Sequence, residues 1–283
     1  MSIRLALPPQ LVEDAQAFAD GSREPAEPRN AATVVLMRPG PRGPEVYLLR
    51  RQTSMAFAGG MCVFPGGGVD PRDFDHAVAW AGPAPAEWAA RLGTDEATAR
   101  ALVCAAVRET FEESGVLLAG ESADSVVADT TGDDWESDRA ALEARELAFT
   151  EFLDRRGLVL RADLLGVWAA WLTPVFEPRR YRTWFFVADL PEGQRTRDVS
   201  TESDEVTWLP AMQAVEEVER QEMLMLPPTY LNCLEVGQYA DPAAVIDAAR
   251  GRSVQMFTPE VETGPDGSTL SIPPEFESLL ATR

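Results

Sequence analysis

Short hydrophobic runs separated by glycine and proline characterise the first part of the chain. Residues 31–37 and 45–50 are two such runs, and the six residues between them at 39–44 are proline, glycine and arginine only. Apolar runs bounded in this way predict two strands joined by a turn. Residues 61–64 form a third short run, which predicts a strand that leads directly into three consecutive glycines.

The second half of the chain continues with predicted strands and helices. Residues 137–156 carry apolar positions at helical spacing, which predicts one long helix. The other predicted elements are strands at 164–172, 182–190 and 205–209 and helices at 210–220, 227–236 and 242–249. This order predicts an α+β fold, an α/β/α sandwich around a mixed β-sheet with extra C-terminal helices.

A predicted helix between Thr94 and Gly115 carries the residues of greatest chemical interest. Thr94 is a candidate N-cap, and Gly115 is a typical C-terminal stop. Val103, Val107 and Phe111 would form one face of this helix, which we expect to pack against the core. The opposite face is acidic, so one side of the helix packs while the other is available for a site.

That acidic face contains three glutamates at helical spacing. Glu109, Glu112 and Glu113 stand at i, i+3 and i+4 and would project from one side of a helix. Like charges so close together repel, and Mg²⁺ or Mn²⁺ would compensate them because these cations prefer oxygen ligands. On spacing alone, a solvated acidic face is the more frequent explanation. Arg108 lies one turn before Glu112 and can pair with it.

A glycine turn upstream favours a metal site over a solvated acidic face. Residues 64–70 read Phe-Pro-Gly-Gly-Gly-Val-Asp, and with residues 108–116 they resemble the box of the Nudix hydrolases, G-x5-E-x7-R-E-U-x-E-E-x-G-U, in which U is aliphatic. Gly67 stands at the first glycine of that box, and Asp73 at its first glutamate. The second half is matched letter for letter by Arg108, Glu109, Glu112, Glu113, Gly115 and Val116.

Three departures separate this chain from the family pattern. Asp73 shortens the first carboxylate by one methylene, and Thr110 replaces an aliphatic residue. Between the two halves lie 34 residues (74–107) where the family has seven, so about 27 are extra. A loop lengthens between fixed elements at small entropic cost, and we therefore expect a single split site. Within the insertion, residues 85–92 predict a short helix that buries Trp88.

The resemblance implies roles for individual residues. Glu112 and Glu113 would be metal ligands for Mg²⁺ or Mn²⁺, and the Gly66 carbonyl could be a further one. Glu109 would be either a metal ligand or the base that activates water. Arg108 is expected to orient its neighbours rather than to react. Family members often add a distant acidic residue, and Glu202 is our candidate, although an acidic surface loop is the simpler interpretation.

Composition and charge limit the partners. The chain has 283 residues, a formal net charge of −21, 25 basic residues that are all arginine, and one histidine, His76, which we expect at the surface. Such acidity argues against nucleic acid as a partner, and the absence of lysine excludes Schiff-base chemistry. Cys62, Cys104 and Cys233 lack zinc or disulfide spacing. With no signal peptide or membrane-length apolar run, we predict a cytoplasmic protein without membrane contact.

Substrate signals are weaker and rest on the same resemblance. Residues 48–51 and 60–67 are similar to a signature of coenzyme A diphosphatases, although its second arginine would fall at Ala56. The split box and residues 171–181 resemble the acyl-CoA diphosphatase branch. Arg51, Arg179 and Arg180 could bind the phosphates of coenzyme A, or each could form a surface ion pair. Candidates for stacking on adenine are Phe57, Trp168, Trp171 and Tyr181, although Trp168 and Trp171 are more typical of a core.

The resulting hypothesis is a metal-dependent diphosphohydrolase that converts coenzyme A or an acyl-CoA to 3′,5′-ADP and a 4′-phosphopantetheine product. The alternatives are another small-molecule nucleotide-diphosphate substrate, such as NADH, ADP-ribose or a nucleotide sugar, and a regulator that binds a nucleotide metabolite without turnover. We predict an N-terminal segment (1–30) with an amphipathic stretch at 11–19, a Nudix domain (31–220) with its insertion at about 74–97, and a C-terminal helical extension (221–283). Oligomeric state and the number of metal ions stay open.

Overall fold

In the part of the chain that the structure describes, the strands form one large mixed sheet and two small ones. The computed structural model describes residues 7–55, 58–75, 78–265 and 267–283. His76 and Phe57, for which the sequence suggested a surface position and an adenine contact, lie outside these residues. The strands are β1 (Arg29–Gly40), β2 (Gly43–Arg51), β3 (Cys62–Val63), β4 (Gly66–Gly68), β5 (Trp80–Ala81), β6 (Ala119–Gly120), β7 (Val159–Arg161), β8 (Gly166–Leu172), β9 (Tyr181–Asp189), β10 (Ser203–Pro210), β11 (Val261–Gly264) and β12 (Gly267–Leu270).

Helices cover both faces of the large sheet. Those in the described part of the chain are α1 (Pro9–Ala19), α2 (Pro85–Leu92), α3 (Glu96–Ser114), α4 (Asp133–Glu143), α5 (Phe149–Arg156), α6 (Ala211–Glu219), α7 (Pro227–Val236), α8 (Pro242–Arg250) and α9 (Glu277–Ala281). None of them is both long and apolar enough to cross a membrane.

The large sheet is organised around β1. Its strand order is β10-β2-β1-β9-β8, and β1 and β9 run parallel while the other neighbours run antiparallel. Strand β2 pairs with only one end of β1, from Met37 to Gly40. At the other end β1 pairs with the glycine strand β4, and Ala31 lies opposite Gly68. The glycine turn is therefore fixed in the sheet rather than carried on a free loop.

Alternation along β1 sends side chains into two separate cores, because successive residues of a strand point to opposite faces. Val34 and Leu36 join the core that contains α3, α2 and α5. Val35 and Met37 join the core that α6, α7 and α8 cover on the other face. All four side chains are fully buried. The α/β/α sandwich expected from the sequence is thus observed, with the C-terminal helices supplying buried residues of one layer.

The inserted segment contributes to the first core. Its helix α2 forms as predicted, and Trp88 on that helix is fully buried with its ring edge against Phe186, 5.9 Å between centroids. The helix ends at Gly93, whose φ of 66° is a left-handed conformation that favours glycine. One residue earlier, the Leu92 carbonyl accepts a hydrogen bond of 2.9 Å from the Trp184 indole. Helix α2 of the insertion therefore supplies buried residues to the core.

Three predicted elements differ from the structure. The single helix expected over 137–156 is two helices, α4 and α5, and the chain between them turns at Arg145 with φ 59°. Helix α3 is capped by Asp95, not Thr94, because the Asp95 carboxylate accepts from the Thr98 amide at 2.9 Å. The end of the chain, expected to be irregular, contains the β11–β12 hairpin and α9.

Candidate functional site

Helix α3 places the acidic residues of the site against the glycine strand. The Gly66 amide donates a hydrogen bond of 2.7 Å to the Glu113 carboxylate. A Cβ built on Gly67 would lie 2.6 Å from the carboxylate atoms of Glu109, closer than real Cβ contacts occur. A Cβ on Gly68 would meet nothing within 4 Å. Only the middle glycine is therefore required for the close approach of a catalytic candidate.

Arg108 lies at the centre of the carboxylates. Its guanidinium donates to Glu109 at 2.7 Å and to Glu112 at 3.2 Å, and it reaches the Gly68 carbonyl at 2.9 Å. It also forms two hydrogen bonds with Asp73, at 3.1 and 3.0 Å. The guanidinium fork suits such paired contacts. The predicted pairing of Arg108 with Glu112 is confirmed, and Arg108 additionally joins both halves of the split box.

Asp73 is held in place by its own turn as well as by Arg108. It lies in a short 3₁₀ helix, Pro71–Phe74, where the Asp70 amide donates to its carboxylate at 2.8 Å. The side chain of Asp70 in turn accepts from the Arg72 amide at 2.8 Å, so the turn carries a reciprocal cap. Asp73 is only 1% exposed. The shorter carboxylate thus reaches the arginine across the insertion, as the split-site prediction requires.

The site carries more negative charge than Arg108 neutralises. Burial is the main cause that raises the pKa of Glu109, Glu112 and Glu113 above its usual range. The Glu109 charge raises the pKa of both other glutamates further. Burial also raises the pKa of Asp73, although the neighbouring Arg108 acts to lower it. Additional positive charge at the site would therefore stabilise the ionised form of these carboxyl groups.

The donor chemistry of the site fits Mg²⁺ or Mn²⁺. Its side-chain donors are carboxylate oxygens only, the ligands that these hard cations prefer. The side chains are held by Arg108 and by the Gly66 amide, and among the described residues no three acidic, histidine or cysteine side chains already converge as a metal cage. Glu112 and Glu113 are the first candidates to hold the ion, and Glu109 and the Gly66 carbonyl are further ones.

Arg51 and Glu202 lie beside this cluster and contact each other. The Arg51 guanidinium donates to the Glu202 carboxylate at 3.0 Å, and its Nε is buried without a hydrogen-bond partner in the described structure. The charge of Arg51 lowers the pKa of Glu113, whereas that of Glu202 raises it. The distant acidic residue and the arginine proposed from the sequence are thus brought to the same place.

The other candidate residues for substrate binding have different environments. Arg180 is buried, and its guanidinium donates to the carbonyls of Thr173 at 3.1 Å and Ala26 at 3.2 Å. Arg179 is exposed. Trp168 and Trp171, the two tryptophans considered for adenine stacking, are 1% and 5% exposed. They are core residues, as expected from the sequence. Arg180 therefore has structural partners, and of the three arginines only Arg51 has a described link to the carboxylates.

Sequence reasoning missed Arg139. This buried residue of α4 donates from its guanidinium to the backbone carbonyl of Glu112 at 2.7 Å. The only available signal was its acidic surroundings at i−3 and i+4, Glu136 and Glu143, which predict an ordinary helical ion pair. The contact with α3 depends on tertiary packing and is not visible in the sequence.

A family model described as the NUDT19 Nudix domain matches residues 83–235, more than half of the chain. The chain belongs to this Nudix family. The match begins after the glycine turn and Asp73, so it covers the second half of the box and the strands that follow. The Nudix resemblance stated from the sequence is confirmed.

Similar proteins agree with this assignment. The chain is 27% identical over 256 residues to a Gallus gallus protein named acyl-coenzyme A diphosphatase NUDT19, covering 71% of this chain and 66% of that protein. A Xenopus laevis protein of the same name is 24% identical over 233 residues, which cover 69% of this chain and 60% of that protein. The chain thus spans less than two thirds of the length of these curated relatives.

A solved structure confirms the Nudix fold. The crystal structure of a Nudix hydrolase from Alicyclobacillus acidocaldarius superposes with a TM-score of 0.67 at 26% sequence identity. The superposition covers 78% of this chain and 96% of that one. The sandwich described above is therefore a Nudix fold that includes nearly all of the related structure.

Proposed function

We propose that this Nudix protein is a metal-dependent diphosphohydrolase, which cleaves the diphosphate of a nucleoside diphosphate linked to another moiety. The observation that carries this proposal is the joining of Asp73, Arg108 and the three glutamates in one buried cluster against the glycine strand. Buried like charges destabilise a fold, so the presence of this cluster indicates a functional role for it. Family membership and the names of the relatives support the same activity.

We assign each residue a role from its position in the cluster. Glu112 and Glu113 would hold Mg²⁺ or Mn²⁺, with the Gly66 carbonyl as a further ligand, and the bound ion would neutralise charge that develops on the phosphates. Glu109 lies against Gly67 and Arg108, and we assign to it the removal of a proton from the attacking water. Arg108 fixes the carboxylates of Glu109 and Glu112 in the orientation that these roles need.

For the substrate we propose coenzyme A or an acyl-CoA, which would give 3′,5′-ADP and the 4′-phosphopantetheine product. The support is the signature around Arg51 and the names of the Gallus and Xenopus relatives. Arg51 has a buried Nε without a hydrogen-bond partner in the described structure and lies beside Glu202 at the site, so a substrate phosphate could accept from it. Arg179 and Arg180 stay as weaker candidates for the same phosphates. A cytoplasmic location stays a prediction from the sequence.

A substrate panel tests both the proposed reaction and the proposed substrate. Coenzyme A, acyl-CoAs, NADH, ADP-ribose, diadenosine tetraphosphate and deoxynucleoside triphosphates would each be incubated with Mg²⁺ or Mn²⁺. Glu112→Gln is the inactive variant, and Glu96→Gln, exposed on the first turn of the same helix, is the matched control. We expect turnover of a CoA species that Glu112→Gln loses and Glu96→Gln keeps.

The alternatives give different results in the same panel. Turnover of ADP-ribose or NADH without CoA would remove only the substrate assignment. Binding of a nucleotide metabolite without turnover of any compound would instead indicate a regulator, and the enzyme proposal would be wrong. The presence of Glu109, Glu112 and Glu113 favours the enzyme, because a binding module has no need for all three.

A further inference from the structure

The C-terminal turn of α3, which carries Glu112 and Glu113, is fixed from outside by a buried arginine. Arg139 of α4 donates a hydrogen bond of 2.7 Å to the Glu112 carbonyl, and its side chain is only 5% exposed. The same guanidinium contacts the carboxylates of Glu136, at 2.7 Å, and Glu143, at 2.9 Å. Because the last carbonyls of a helix lack partners within it, this charged donor sets the position of the turn.

Glu143 extends the contact to the loop that carries Glu202. Its second carboxylate oxygen accepts from the Thr201 amide at 2.9 Å and from the Thr201 hydroxyl at 2.7 Å. Thr201 directly precedes Glu202, the acidic residue that pairs with Arg51. An unbroken series of hydrogen bonds therefore runs from the Glu112 backbone through Arg139 and Glu143 to the backbone of the Glu202 loop.

We propose that Arg139 and Glu143 are positioning residues that hold the metal-binding turn of α3 and the Glu202 loop at a fixed separation. This inference rests on the proposed function, since it concerns how the same site is kept in working geometry. Both residues act through others, Arg139 through the Glu112 backbone and Glu143 through the residue before Glu202. Residues that orient metal ligands commonly change metal affinity or activity by about 10–100-fold when they are removed.

The geometry distinguishes this pair from an ordinary helical ion pair. Glu151 and Arg155 on α5 also stand at i and i+4, but both side chains are at least half exposed and contact each other only within their own helix. Arg139 instead directs an N–H to another helix, and Glu143 directs an oxygen to a loop. Hydrogen bonds with one charged partner are roughly twice as strong as neutral ones, so these contacts constrain the two elements that they join.

The central experiment compares Glu143→Ala with Glu151→Ala in the full chain. Three measurements are made on each: kcat and KM on the substrate found in the panel, the Kd for Mn²⁺ alone, and amide exchange of residues 200–203. For Glu143→Ala we expect kcat to fall at least about tenfold and Mn²⁺ binding to weaken several-fold. Exchange at Thr201 should accelerate. Glu151→Ala should match the wild type in all three.

Further substitutions at two positions, Thr201 and Arg139, make the test less dependent on folding. Thr201→Val removes only the hydroxyl hydrogen bond from an exposed residue, whereas Thr201→Ser keeps it. We expect the valine variant to lose part of kcat at an unchanged melting temperature and the serine variant to recover it. Arg139→Lys, which keeps the charge but not the fork, should recover only part of what Arg139→Ala loses.

Two results would overturn the inference: wild-type kcat and Mn²⁺ affinity in Glu143→Ala, or equal losses in Glu143→Ala and Glu151→Ala. Hydrolysis by the wild-type protein tests the proposed function separately. If the wild-type protein hydrolyses nothing, that proposal is wrong, and the inference is decided by the Mn²⁺ affinities alone. If the wild-type protein binds neither Mn²⁺ nor Mg²⁺, both are wrong.

Discussion

Asp73 and Arg108 stand 35 positions apart in the chain and are joined by two hydrogen bonds of 3.1 and 3.0 Å. Asp73 belongs to the short helix after the glycine turn, and Arg108 to the middle of α3. Their contact turns two separated sequence fragments into one structural unit. The inserted segment leaves this contact intact, because each partner is held in its own local structure, Asp73 in the capped 3₁₀ helix and Arg108 in α3.

The first prediction concerns that pair. Asp73→Ala leaves a buried guanidinium with one partner fewer, and breaking a buried ion pair from one side costs about 3–5 kcal/mol. Glu109 and Glu112 still contact Arg108, so we expect a loss near the lower end of that range. Urea unfolding measures it. The exposed Asp154→Ala should change the free energy of unfolding by less than about 0.5 kcal/mol, and a similar small change at Asp73 would contradict the prediction.

The second prediction separates the three neighbouring glycines. Gly67→Ala would push the Glu109 carboxylate aside, since the new Cβ would lie 2.6 Å from it. We expect activity to fall at least about tenfold, because small displacements at reacting groups are costly. Gly68→Ala is the matched control and should keep normal activity.

Gly66→Ala should instead reduce stability, because its Cβ would lie 2.5 Å from the Ala32 carbonyl oxygen in the paired strand. Such overpacking costs about 1–3 kcal/mol. Kinetics and thermal unfolding of the three variants, measured side by side, check both expectations. Equal activity of the Gly67 and Gly68 variants would remove the proposed importance of the Glu109 approach.

The third prediction concerns Glu109 itself. Glu109→Gln keeps the size of the side chain and can still accept from Arg108, but it cannot take a proton from water. General-base catalysis contributes about 100-fold or more, so kcat should fall by at least that factor while the protein stays folded. Steady-state kinetics beside Glu96→Gln make the comparison. Turnover within a few-fold of the wild type would assign the base role to another residue.

The fourth prediction concerns stabilisation by the metal. An ion that binds only the folded protein stabilises it by about 2.7 kcal/mol at a free concentration of 100 times its Kd. For a chain of this size we expect Mn²⁺ to raise the melting temperature by about 5 °C. Glu112→Gln should lose most of that increase. An identical increase in the variant would place the Mn²⁺ site elsewhere.

The fifth prediction concerns the insertion. Trp88→Ala removes a fully buried ring that packs against Phe186, and such truncations cost about 3–5 kcal/mol. Leu224, a large apolar residue that is 60% exposed, supplies the control, since Leu224→Ala should change the free energy of unfolding by less than about 0.5 kcal/mol. Chemical unfolding of both variants measures the difference. A loss below 1 kcal/mol at Trp88 would show that α2 is peripheral.

Local patterns in the sequence were sufficient for much of the fold. The periodicity over 227–236 and 85–92 predicted α7 and α2 with the observed bounds, and the central strands were placed to within a few residues. The buried positions of Trp168 and Trp171 were also expected, because both lie in a predicted strand. These features depend on interactions between residues close in the chain, which a sequence displays directly.

Features that depend on distant residues could not be predicted in the same way. The break between α4 and α5 occurs at Arg145, a residue without the turn signal that glycine or proline would give. The partners of Arg180 are carbonyls, which every residue carries, so no pattern identifies them. The link from Arg139 to Glu112 likewise joins positions 27 apart through a backbone atom.

The burial of Trp88 makes the insertion harder to lose than to gain. Adding residues between two anchored elements costs little, but α2 now fills space beside Phe186 and ends where the Leu92 carbonyl accepts from Trp184. Deleting the segment to restore an uninterrupted box would leave a void and an unsatisfied indole N–H in the core. The lengthened box is thus easy to acquire and hard to lose, and a descendant with a short box would need compensating changes at both aromatic positions.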